Sequence, residues 1–126
     1  MNLPNPSRKP DLATAIAVMT LVSGILNIFW SIGLFLASVA FGLSTFFIGC
    51  ICLPLAVYPL GLGIIEILYA SRLMRNPISP TLKPAYYIAV LEIIDTLLGN
   101  VLALVVGVLA LIFYNDPAVR RYFGET

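Results

Sequence analysis

The chain has 126 residues, 60% of them apolar and only 10% charged, with a net charge of +1 and a mean hydropathy of +1.02. Soluble domains carry roughly 25% charged residues, and a soluble fold of this size has too little interior to hide so much apolar surface. The few cations flank apolar runs and form no basic face, which excludes nucleic acid as a partner.

Residues 1–11 are a polar, proline-rich start that includes Arg8 and Lys9. The apolar run after it reaches Phe41, far beyond the roughly 7–15 residues of a signal-peptide core, and reads as an uncleaved anchor helix over 12–41. Ser38-Val39-Ala40 imitates a cleavage site and Phe47-Ile48-Gly49-Cys50 a lipoprotein box, but both lie too far along the chain. From Leu12 to Leu73 the only acid is Glu66 and the only cation Arg72, so the stretch must turn back on itself. Gly42-Leu43-Ser44-Thr45 is the expected turn, with its hydroxyls capping a second helix over 44–74 that Pro54 and Pro59 kink.

Asn76 to Pro84 carries three prolines and Lys83 and reads as a loop. The apolar stretch 85–115 is either one long helix or a hairpin of 85–98 and 101–115 that turns at Gly99-Asn100. Charge decides between them. The cations fall in three clusters: Arg8 and Lys9; Arg72, Arg75 and Lys83; Arg120 and Arg121. Only the hairpin keeps all of them on the cytoplasmic side, as the positive-inside rule requires. Tyr69, Tyr86, Tyr87, Tyr114 and Tyr122 fall near the same side, where headgroups favour them, and Trp30 marks the opposite interface. In residues 116–126, Asp116 is placed to cap a short interfacial helix that starts at Pro117. Val119, Tyr122 and Phe123 are expected to face lipid, with Arg120 and Arg121 on anionic headgroups.

The expected fold is therefore all-α: an integral membrane four-helix bundle of two helical hairpins, the second one short, with both termini cytoplasmic. The second hairpin spans only about 21–24 Å, so its turn needs protein around it and favours an oligomer. No aligned motif relates the two halves, although two hairpins in series allow a diverged duplication.

Glu66, Glu92 and Asp95 fall inside apolar stretches, where a charge costs at least about 2.5–3.5 kcal/mol. Glu66 lies about 9 Å from Arg72 along its helix and Glu92 about 13 Å from Lys83, so antiparallel packing brings them to similar depths. Asp95 shares a helix face with Glu92. With no Lys, Arg or His among them, burial favours the neutral carboxyl, which both donates and accepts. They form either a proton or cation site, lined also by Asn27, Ser31, Thr96 and Asn100, or hydrogen-bonded contacts between helices; the second reading is preferred. Thr20, Ser23, Gly24, Asn27 and Ser31 on the first helix, and Ala103, Gly107 and Ala110 on the last, read as packing faces. Arg72, Arg75, Arg120, Arg121, Tyr122 and Phe123 are the expected interfacial anchors.

Cys50 and Cys52 sit two apart in an expected helix, point away from each other and offer neither a disulfide nor a metal grip. Without histidine the chain lacks both the Glu-x-x-His pattern of di-iron bundles and the usual general base for hydrolysis. No metal, cofactor or enzymatic activity is expected.

Arg8-Lys9-Pro10 followed by Ala15 to Ile28, and Gly99-Asn100 through Gly107-Val108 to Asp116-Pro117-Ala118-Val119-Arg120-Arg121-Tyr122-Phe123, resemble an uncharacterised group of small bacterial membrane proteins with four segments. The resemblance implies a multi-pass protein of the bacterial cytoplasmic (inner) membrane and supplies no activity. Small multidrug transporters are also four-helix chains with an embedded Glu, but theirs lies in the first helix, which here has no acid after Asp11. The expected role is a non-enzymatic homo-oligomer or accessory subunit of a membrane complex, with lipid and other membrane subunits as partners. The alternative is a small proton-linked or cation-permeable transporter that uses the embedded carboxylates.

Overall fold

The computed structural model describes residues 9–45, 48–75 and 81–124; Arg8 with most of the polar start, the loop residues Asn76 to Pro80 and the Cys50 side chain lie outside them. The described residues are helical throughout their regular structure, with no strand. Helix α1 spans Asp11–Ser44, a 3₁₀ turn spans Ile48–Cys52, and α2 spans Leu53–Met74. Helix α3 (Tyr86–Asp95) runs into a 3₁₀ turn (Thr96–Leu98), followed by α4 (Val101–Tyr114) and the short α5 (Pro117–Tyr122). Both α1 and α2 are long and apolar enough to cross a membrane.

The first hairpin turns later than the sequence suggests. Nothing breaks α1 before Ser44, and the hydroxyls expected to open α2 close α1 instead. Ser44 Oγ donates to the carbonyls of Ala40 and Phe41, and Thr45 Oγ1 donates to Phe41 O at 2.7 Å. Helix α2 then begins at Leu53 with Pro54 in its first turn, where a missing N–H costs nothing. Pro54 therefore starts the helix instead of kinking it, and only Pro59 lies inside. Cys52, in the turn, is exposed and unpaired.

The second hairpin reverses at Gly99, whose φ of 86° is the left-handed conformation that glycine adopts without a Cβ clash. Its Asn100 side chain caps α4 by accepting from Ala103 N at 3.3 Å. The two hairpins meet at a common end. Lys9 Nζ donates to Leu73 O at the close of α2, Tyr69 donates to Lys83 O at 3.1 Å, and Tyr114 donates to the Tyr69 hydroxyl at 3.2 Å. This end carries every described cation: Lys9, Arg72, Arg75, Lys83, Arg120 and Arg121.

Two of the tyrosines at that end pack inward. Tyr69 and Tyr114 are buried and belong to the core with Ile16, Leu73 and Ile88, whereas Tyr87 is exposed. Asp116 caps α5 by accepting from Ala118 N at 2.8 Å, and α5 folds back onto the bundle. Val119 is completely buried, against the expectation that it faces lipid. Tyr122 and Phe123 are half-buried, and the Phe123 ring stands edge-on to Tyr114 with centroids 6.2 Å apart. This helix of 6 residues is held against the bundle by its cap and by one buried valine.

Each hairpin closes at a glycine. A Cβ on Gly24 would come within 2.8 Å of Gly63 O and 3.0 Å of Glu66 Cβ; one on Gly63 would meet Gly24 O at 2.6 Å. A Cβ on Gly107 would meet Ala89 O at 2.6 Å and Glu92 Cβ at 3.1 Å. The surroundings correspond residue by residue. Gly24 faces Gly63, Glu66 and Ile67, while Gly107 faces Ala89, Glu92 and Ile93. Leu21-Val22-Ser23-Gly24-Ile25-Leu26-Asn27 in α1 matches Leu104-Val105-Val106-Gly107-Val108-Leu109-Ala110 in α4. The equivalence pairs α1 with α4 and α2 with α3, which comparison of the hairpins in chain order does not find.

Candidate functional site

The two glycine crossings set where the acids point. Gly63 and Glu66 are three residues apart in α2, as are Ala89 and Glu92 in α3, so each glutamate leaves its helix one turn beyond a backbone contact. The result is that Glu66 and Glu92 lie within hydrogen-bonding reach of one another at the seam between the hairpins. Glu66, Glu92 and Asp95 are all 0–1% exposed.

A continuous polar network runs from this pair. Asn27 Nδ2 donates to Glu66 Oε2 at 2.9 Å, and Ser23 Oγ donates to Glu66 Oε1 at 3.5 Å. Asn100 Nδ2 donates to Asn27 Oδ1 and, at 2.8 Å, to Asp95 Oδ2. Two amides thus connect the glutamate pair to Asp95, and all of α1 to α4 contribute. Tyr58 of α2 closes one flank by donating to Leu91 O at 2.8 Å. Glu92 Oε1 and Asp95 Oδ1 are buried and have no hydrogen-bond partner.

Most of the residues expected at this site are therefore brought together: Glu66, Glu92, Asp95, Asn27 and Asn100. Thr96 stands next to Asp95 with its Oγ1 buried and unpartnered. Ser31 does not join them. Its hydroxyl donates to Ala56 O instead, in the turn preceding Pro59, whose missing N–H weakens the helix ladder there. Ser23, read from sequence only as a packing residue, is part of the network, and Tyr58 is its neighbour. The signal for Ser23 was its place one turn before Asn27 on the same face.

The two glutamates differ in what their own hairpins offer. Glu66 has Ser23 and Asn27 across its crossing, whereas Val106 and Ala110 occupy the equivalent positions of α4. Glu92 must therefore look across the seam, to Glu66 and Ser23. Two carboxyls in contact attract only when a proton lies between them, so the pair is a hydrogen-bonded unit only in a protonated form. Such a network can lock helices together and hold protons. Among the described residues no group of three or more His, Cys, Asp or Glu is placed to hold a metal ion.

Beside the network, α1 and the start of α4 border an apolar groove of about 610 Å³, lined by Leu26, Phe29, Trp30, Gly33 and Val101, with the Asn100 amide as its polar part. Trp30 Nε1 donates to Leu98 O at 3.3 Å, so α1 covers part of the Gly99-Asn100 turn. Arg72, Arg75, Arg120 and Arg121, expected from sequence as interfacial anchors, are exposed at the opposite end and take no part in the network. No family model, no curated protein and no solved structure matches the chain.

Proposed function

We propose that the chain is a non-enzymatic, multi-pass protein of the bacterial cytoplasmic membrane, with four segments and cytoplasmic ends, that works as a packing subunit of a homo-oligomer or of a larger membrane complex. The observation that carries this reading is the step between the hairpins. Helix α1 has 34 residues, about 51 Å at 1.5 Å per residue, while α4 has 14 residues and about 21 Å. The outer part of the first hairpin thus extends past the Gly99-Asn100 turn with only a groove beside it. In lipid, a turn with free backbone groups needs protein cover, and Trp30 supplies a single hydrogen bond. A neighbouring subunit completes that cover.

The membrane placement draws support from the outward faces and from the cations. Phe29 and Leu43 are each 68% exposed, far more apolar surface than water tolerates in one band. All described cations gather at one end, as expected for a cytoplasmic rim. Counting copies per particle in lipid nanodiscs and mild detergent tests the subunit role: more than one chain, or a co-purifying membrane partner, is expected, and a stable lone monomer in both media would sink it.

A proton-linked carrier is the second reading, favoured by the open oxygens of Glu92 and Asp95. Reconstituted vesicles without proton or cation flux under imposed gradients count against it.

A further inference from the structure

We infer that Glu66, Glu92 and Asp95 form a proton-binding site at the seam between two equivalent helix pairs, with one proton shared by the two glutamates and a second position at Asp95. The inference goes beyond the subunit role and is independent of it, because every group lies within one chain. It also holds whether or not anything crosses the membrane.

Three observations carry it. First, the glutamate carboxyls meet with 0–1% exposure, and the side-chain donors to Glu66 come from α1: Ser23 and Asn27. Second, Glu92 Oε1 and Asp95 Oδ1 are buried without partners, so the network is not closed by the protein alone. A purely structural set of contacts would be expected to satisfy those oxygens. Third, among the described residues no cation faces the acids. The groups around them are Ser23 and Asn27 from α1, Tyr58 from α2, Asn100 and Tyr114 from α4, besides the acids of α2 and α3 themselves. Protons are then what neutralises the site. A metal ion fits poorly, because Asn27 and Asn100 stand between Asp95 and the glutamate pair.

Infrared spectroscopy of the full-length protein in nanodiscs tests this. At neutral pH the wild type should show the carbonyl band of a protonated carboxylic acid that shifts in D₂O and converts to carboxylate on alkaline titration. Glu66→Gln and Glu92→Gln should each remove at least half of its intensity, while Asp95→Asn should leave the glutamate band in place. Absence of that band in the wild type overturns the proposal, and so does a band of full intensity in all three variants. A band abolished by added sodium makes the site a cation site and equally overturns it. Should the variants fail to fold, ¹³C-glutamate labelling of the wild type decides alone: an isotope-shifted acid band at neutral pH is required.

Discussion

The α1/α2 and α3/α4 pairs solve the same packing problem with different polarity. Both cross at a glycine that lets one backbone touch the next, and both send a glutamate out one turn later. Across the first crossing lie Ser23 and Asn27; across the second lie Val106 and Ala110. The first pair thus satisfies its own acid, and the second borrows. Buried carboxyls at matched depths become a link between halves because one half lacks the donors to keep its acid to itself.

The largest effect should come from the crossings. Gly63→Leu drives side-chain atoms into the Gly24 backbone and should cost about 3 kcal/mol or more, read as a lower unfolding midpoint in mild detergent. Gly107→Leu, against Ala89 O, should cost a similar amount if the pairs are equivalent in energy as in geometry. A Gly107 variant as stable as the wild type would break the comparison.

Polar asymmetry should show at the next level. Asn27→Leu removes the donor to Glu66 and the acceptor for Asn100, at about 1–2 kcal/mol, whereas Ala110→Ser at the equivalent place should be nearly silent. Equal costs would mean that the polar difference between the pairs does not matter for stability.

The smallest effect should be that of Asp116→Ala. It loses the α5 cap for about 1 kcal/mol and loosens Val119 from the core, seen as faster proteolysis of the C-terminal turn with the network's infrared signature unchanged.

Much of this organisation was legible in the residues, for identifiable reasons. Cations mark ends, so Lys83, Arg120 and Arg121 foretold a reversal near Gly99, and helical spacing put Glu92 and Asp95 on one face. Other features depend on competition between local and tertiary preferences. Ser44 and Thr45 serve a helix end or a helix start equally well, and only the chain that follows decides. Pro54 and Pro59 look alike in sequence, yet one falls in a first turn and the other inside. Val119 can face lipid or core, and docking of α5 against Tyr114 chose core. The geometric correspondence of α1 with α4 was hidden because the matching helices occur in reverse order along the chain.

The gathering of the described cations at one rim also gives the protein a sense of direction. In an energised membrane, negative inside, moving each elementary charge across the potential takes about 2.3 kcal/mol per 100 mV. An inverted insertion would carry Lys9, Arg72, Arg75, Lys83, Arg120 and Arg121 to the outer face against that voltage, with no cation at the opposite end of the described chain to offset them. On the proposed membrane reading, the cell's own voltage works with the positive-inside rule to hold each copy in one orientation. Any assembly it joins then receives its subunits all facing the same way.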